Sequence, residues 1–148
     1  MAPGIQLLAM VVTRKVEFSA SHTCRVPEFT EEENVRMFGA EASRNGHGHN
    51  YVLEVSVEGE PDRVTGMVID LKRLKDILEE QIVYPMDHRY LNAEVEPFDR
   101  VVPTSENLAR VIWKRLAPLL NTEQTSLARL RLFETPDFYV EISDSRRI

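Results

Sequence analysis

Apolar and polar residues alternate with a period of two near both ends of the chain and recur with a helical period in the middle. From about Leu8 to Ser21, Val12, Val16, Phe18, Ala20 and the following His22 share one parity; Thr13, Lys15, Glu17 and Ser19 share the other. That is the pattern of a strand with one buried face, interrupted near its start by Arg14. A second run, about His47 to Glu58, sets His47, His49, Tyr51, Leu53, Val55 and Val57 against Asn50, Glu54, Ser56 and Glu58. Near the C-terminus Leu130 and Leu132 share a face with Glu134, and Phe138, Val140 and Ile142 alternate on a return strand. Thr135-Pro136-Asp137 between them suits a turn, with proline favoured at its second position.

Two helices fit the middle. Asp70 can cap one with the stripe Leu71, Leu74, Ile77, Leu78 and Ile82, and Thr104 or Ser105 can cap another with Leu108, Val111, Ile112 and Leu116. Pro85, Pro97 and Pro103 keep the segment between them irregular. The long polar segment Thr23 to Gly46 is expected to be functional or disordered, with a short helix from Glu31 to Phe38 that turns Val35 and Phe38 inward. The order ββααββ implies an α+β fold: a four-stranded antiparallel sheet with two helices on one face, whose outer strands leave edges to be covered or paired.

Composition narrows the function. The 148 residues carry 18 basic against 24 acidic side chains, net charge −6, which argues against nucleic-acid or anionic-membrane binding. The single cysteine, Cys24, excludes an intrachain disulfide and CxxC zinc sites. No apolar run approaches the ~20 residues of a membrane span, and Met1 to Gln6 has no basic leader. One domain over 1–148 is expected, with tails at about 1–7 and 144–148, in the cytoplasm.

Four histidines carry the candidate chemistry. Gly46-His47-Gly48-His49-Asn50-Tyr51 places two imidazoles on one side of a strand start, and His22 ends the apolar face of the first strand. If the strands pair antiparallel, the three rings converge. Three histidines with an open position are the layout of a catalytic zinc site; ordinary half-buried histidines are the alternative. His88 follows Asp87, which makes either a proton-transfer pair or a solvated loop pair.

Phe18-Ser19-Ala20-Ser21-His22, Gly46-His47-Gly48-His49-Asn50-Tyr51, Pro85-Met86-Asp87-His88, Thr104-Ser105-Glu106-Asn107 and Phe133-Glu134-Thr135 occur in that order. Together they resemble the 6-pyruvoyltetrahydropterin synthase family over roughly Thr13 to Ile142. The resemblance implies the tunnelling fold, in which subunits join edge to edge into a barrel, and a homohexamer built as a dimer of trimers with sites at subunit boundaries. It implies Zn2+ on His22, His47 and His49, proton transfer by Asp87 and His88, and a pterin anchor in Glu134. A carboxylate there can accept two parallel N–H bonds from a pterin; an exposed strand-end glutamate is the alternative. Thr104, Ser105 and Glu106 resemble the segment lining the pterin pocket and equally suit a helix cap.

One position departs from the family pattern. The synthase branch carries a catalytic cysteine six residues before the first histidine of the GHGH motif, where this chain has Glu41; the deazaguanine branch has its cysteine at the position of Ser43. Glutamate in the first slot resembles a third branch, which cleaves the side chain of 7,8-dihydroneopterin triphosphate to 6-hydroxymethyl-7,8-dihydropterin for folate synthesis. Glu41 is then the expected catalytic base, or else a solvated loop charge. Elimination of triphosphate to the pyruvoyl product stands second, followed by 6-carboxytetrahydropterin formation and by a non-catalytic zinc- and pterin-binding module. Cys24 is either a small buried apolar residue or a fourth ligand. Arg14, Lys15, Arg25 and Arg44 are the candidates to hold the triphosphate.

Overall fold

A computed structural model describes residues 8–144; the expected tails, apart from residue 144, lie outside the described residues. The first two strands, β1 (Met10–His22) and β2 (His47–Gly59), pair antiparallel without a break from Met10↔Gly59 to His22↔His47. Between them lie α1 (Glu31–Phe38) and a 3-10 turn, Gly39–Ala42. After β2 come α2 (Leu71–Leu78), a π turn (Glu79–Val83), α3 (Tyr84–Met86), β3 (Arg89–Tyr90), α4 (Leu91–Glu94), α5 (Ser105–Leu120), β4 (Thr125–Thr135) and β5 (Phe138–Ser143).

The sheet runs β3-β1-β2-β4-β5. The expected α+β architecture holds, but the sheet has five strands, and β3 pairs parallel with β1 at Ala20↔Arg89 and Ser21↔Tyr90. Two residues are too few to show any alternation. Tertiary bonds set this strand instead: His88 N donates to Ser19 O at 2.6 Å, and Ser19 N donates to Asp87 Oδ1 at 2.8 Å. A register shift, with Ser56 opposite Arg129 and Val57 opposite Leu127, leaves Ala128 as an extra residue. The bulge lets both Leu127 and Leu130 face the core.

The helices cover one face. Leu74, Leu78 and Ile82, together with Leu108, Ile112, Leu116 and Leu120 of α5, are fully buried against Tyr51, Leu53, Val55 and Val57, each such side chain contributing about 2 kcal/mol of apolar burial. Asp70 and Thr104 cap α2 and α5 as expected, accepting from Lys72 N at 2.9 Å and Asn107 N at 3.3 Å. Two expected inward residues point out. Leu71, in the first turn after the Asp70 cap, is 57 % exposed, and the buried residues of α2 are Leu74, Ile77 and Leu78. Val35 is 53 % exposed, and Asn34 is the buried residue of α1. This helix packs on its own preceding loop through Asn34, whose Oδ1 accepts from Val26 N at 2.8 Å and whose Nδ2 donates to Val26 O at 3.2 Å. Among the described residues no helix is long and apolar enough to cross a membrane.

Candidate metal centre

The β1–β2 register puts His22 opposite His47 and Ala20 opposite His49, so three imidazoles meet at one end of the helix-covered face. Their ring centroids are 4.7, 5.1 and 4.8 Å apart, all edge-on. His22 is fully buried, and its Nδ1 lies 2.7 Å from Pro103 O. A carbonyl can only accept, so Nδ1 carries the proton and Nε2 presents a lone pair to the centre, as an outer-shell partner does for a metal ligand. His22 Nε2 and His47 Nε2 are 3.1 Å apart. Glu41 Oε2 is 2.8 Å from His47 Nε2 and 3.3 Å from His22 Nε2. His49 Nε2 is buried with no hydrogen-bond partner, although Glu134 Oε1 lies 3.0 Å away at an unsuitable angle. Burial, with His22 and His47 beside it, holds the His49 imidazole below its usual pKa against the pull of Glu134. The ring is therefore neutral near pH 7, the form that binds metals.

One ligand atom from each of His22, Glu41, His47 and His49 lies within 4.8 Å of every other. The orphaned buried nitrogen of His49 is costly by itself; a cation among the imidazoles satisfies it. The residues therefore fit a metal ion.

Glu41 reaches the group because its backbone is tied to the segment after His22. Cys24 N donates to Glu41 O at 2.8 Å, Thr23 Oγ1 to Ser43 O at 2.6 Å, and Arg25 Nη1 to Ala42 O at 2.6 Å. Arg25 in turn pairs with Glu31, which also binds Arg44 Nη2 at 2.8 Å; both arginines hold the Glu31 carboxyl below its usual pKa. The two arginines expected among the phosphate ligands are thus already engaged, while Arg14 and Lys15 lie towards the other end of β1. Cys24 is buried, with Sγ 4.0 Å from both His22 Nδ1 and Glu41 Oε2. Burial, then the charges of Glu41, Glu134 and Glu106, push its thiol up to about 12. It is a neutral packed thiol, and the fourth member of the group is Glu41.

Glu134 stands on the same face, its side chain 15 % exposed, and accepts a short hydrogen bond from Ser105 Oγ. Ser105 is buried, Thr104 serves as the α5 cap, and Glu106 points outward in the first turn. Tyr51 was legible only as a face residue. It is fully buried 5.6 Å from the His49 ring, its hydroxyl unpartnered and its phenol pushed up by burial. A tyrosine in an otherwise aliphatic run beside two histidines is the signal that could have marked it. Pro103 contributes a backbone carbonyl, which no side-chain pattern reveals.

Asp87 and His88 are not in this group. Asp87 Oδ1 is bound to Ser19 N, and His88 has the left-handed φ of 60° with its side chain 81 % exposed. Their closest approach, 3.7 Å, is beyond a hydrogen bond. His88 borders an open groove of about 560 Å³ that is also lined by Ser19, Ser21, His49 and Asn50.

The family model described as 6-pyruvoyl tetrahydropterin synthase matches residues 11–145. The chain belongs to the 6-pyruvoyl tetrahydropterin synthase family. A 6-pyruvoyl tetrahydrobiopterin synthase of Pongo abelii is 44% identical over 124 residues, 84% of each chain. The solved structure of the Caenorhabditis elegans 6-pyruvoyl tetrahydropterin synthase superposes with a TM-score of 0.87 at 33% identity, covering 96% of this chain and 100% of that one. A 6-carboxy-5,6,7,8-tetrahydropterin synthase of Rickettsia conorii is 29% identical over 88% of this chain and 97% of its own.

Membership makes the chain an enzyme, a lyase of a family that acts on pterins. On the product, the more similar relatives bear the name of the pyruvoyl-forming synthase. They favour the elimination reading, placed second above, over the folate precursor placed first.

Proposed function

We propose that this lyase takes 7,8-dihydroneopterin triphosphate as substrate in the cytoplasm and cleaves its side chain to release 6-hydroxymethyl-7,8-dihydropterin. The observation that carries this reading is Glu41: a carboxylate in the family's cysteine slot, 2.8 Å from His47 Nε2 and inside the imidazole group. Three imidazoles suit zinc, held by His22, His47 and His49; when bound it supplies Lewis-acid polarisation of the substrate's side-chain hydroxyls. Glu134 accepts the pterin's paired N–H groups while Ser105 fixes its orientation. Glu41 takes the proton of the C2′ hydroxyl, the C1′–C2′ bond breaks in a retro-aldol manner with C2′ leaving as the aldehyde that carries C3′ and the triphosphate, and Asp87-His88 returns a proton to C1′. That pair lies outside the group formed within one chain. Its position supports the expected homohexamer, a dimer of trimers joined edge to edge with sites at the subunit boundaries.

A second reading has its own support. The names of the relatives favour triphosphate elimination to the 6-pyruvoyl compound, in which the base removes a proton from a side-chain carbon instead. Mass spectrometry of the products from dihydroneopterin triphosphate separates the two. Wild-type protein is expected to give the hydroxymethyl product and Glu41→Cys to move flux towards the pyruvoyl one. A wild type that yields only the pyruvoyl compound overturns the cleavage reading and leaves the second reading standing.

A further inference from the structure

The Glu41 carboxylate lies among the imidazoles in the manner of a ligand. Tetrahedral ligands at bonds of about 2.0–2.1 Å stand about 3.3 Å from one another. Here the three separations among His22 Nε2, His47 Nε2 and Glu41 Oε2 are 3.1, 3.3 and 2.8 Å. His22 Nε2 bears a lone pair, since its proton is committed to Pro103 O, and a cation between this lone pair and the carboxylate relieves their repulsion. Glu41 thus stands at the fourth position, which a catalytic site must keep available to substrate. A carboxylate held there shares its charge with the cation and is a weaker base than a free one.

We propose that Glu41 is an exchangeable fourth ligand: its carboxylate closes the His22, His47, His49 site in the resting protein, and a side-chain hydroxyl of the arriving pterin displaces it. The exchange replaces one oxygen ligand by another and leaves the ligand count unchanged. The displaced carboxylate then accepts the proton of the hydroxyl that displaced it, so the base is masked until substrate is seated. The backbone need not move. Thr23, Cys24 and Arg25 hold the carbonyls of Ser43, Glu41 and Ala42, and the Glu41 side chain is 39 % exposed, which gives it room to rotate outward from a fixed turn. This inference rests on the proposed pterin substrate and on Glu41 as base.

The test is a pair of affinities for wild type, Glu41→Ala and Glu41→Asp: zinc by chelator competition, and neopterin by calorimetry on zinc-loaded and metal-free protein. Neopterin is fully oxidised and carries the trihydroxypropyl side chain without turnover. Both variants are expected to weaken zinc at least about tenfold. Glu41→Asp keeps the charge and loses the reach, so its loss reports ligation and not field. Both are also expected to tighten neopterin several-fold on the zinc-loaded protein and to leave its affinity for metal-free protein unchanged, because a competitor has been removed. Unchanged zinc affinity in both variants overturns ligation. Weaker neopterin binding to the zinc-loaded variants overturns the exchange and makes Glu41 a pterin contact. If the affinities move as expected while wild type releases only the pyruvoyl compound, the ligand exchange holds and the cleavage reading alone falls. Circular dichroism melting of each variant confirms that the fold is retained.

Discussion

Asn34 and Val35 sit side by side on α1 and make opposite predictions. Hydropathy assigns the anchoring of this helix to Val35, whereas the structure assigns it to Asn34, 2 % exposed, with Val35 53 % exposed. Asn34 makes two bonds of good length, from Val26 N at 2.8 Å and to Val26 O at 3.2 Å, and a marginal one to Phe29 O at 3.5 Å. Two such bonds contribute about 1 kcal/mol each. Val26 is half-buried, so water reaches part of what Asn34→Ala would release and the larger penalty of dry orphaned groups is not incurred. Alanine returns about 0.6 kcal/mol of helix propensity. The expected net loss is about 1.5 kcal/mol, roughly a tenfold change in the unfolding constant. Val35→Ala loses little burial and gains propensity, so it is expected to stay within about 0.5 kcal/mol of wild type. Urea unfolding at one fixed protein concentration, followed by the fluorescence of the only tryptophan, Trp113, measures both. If Val35→Ala costs more than Asn34→Ala, or Asn34→Ala falls within 0.5 kcal/mol of wild type, the hydrogen-bonded anchoring of α1 is refuted.

Ser105→Ala removes the donor that holds Glu134; charge-assisted bonds of this kind are worth about 1.5–3 kcal/mol, so neopterin affinity measured by calorimetry should fall about tenfold or more while zinc content stays constant. Gly46→Ala forces a side chain on to a φ of 72° and a Cβ within 3.1 Å of His22 O and 3.2 Å of Tyr90 Cε2; an unfolding loss of about 2 kcal/mol is expected, and chelator competition should show weaker zinc binding because one clash is with the His22 backbone and Gly46 adjoins His47.

What could be read from the sequence was whatever depends on periodicity. The parity of β1 and β2 placed His22, His47 and His49 on one face, and an antiparallel register then brought them together, as the 13-residue pairing shows. Residues fixed by tertiary bonds were out of reach. Glu41 lies on a 3-10 turn whose direction is set by Thr23, Cys24 and Arg25, so its spacing from His47 has no periodic meaning, and only likeness to a family singled it out. Adjacency singled out Asp87 and His88 but not their setting: Asp87 Oδ1 accepts from Ser19 N at the β1 edge, and His88 has a left-handed backbone. Cys24 shares the parity of His22, yet β1 ends at His22, and parity lapses with the strand.

The segment that opens α5 ties the two halves of the site together. Pro103 O fixes the tautomer of His22, Thr104 caps the helix through Asn107 N, and Ser105 Oγ holds Glu134. Three consecutive residues thus orient the proposed metal ligand His22, cap a helix and align the proposed pterin anchor. Ser105 is the first residue of α5, so the Glu134 carboxylate it binds lies at the N-terminal end of that helix. Helix capping and pocket formation, two separate uses of this stretch when judged by sequence, are one device. The cap at Thr104 fixes where the chain turns, and that turn brings the carbonyl before it to His22 and the hydroxyl after it to Glu134. A change that loosens the cap therefore disturbs metal and pterin together, whereas Ser105→Ala disturbs the pterin alone.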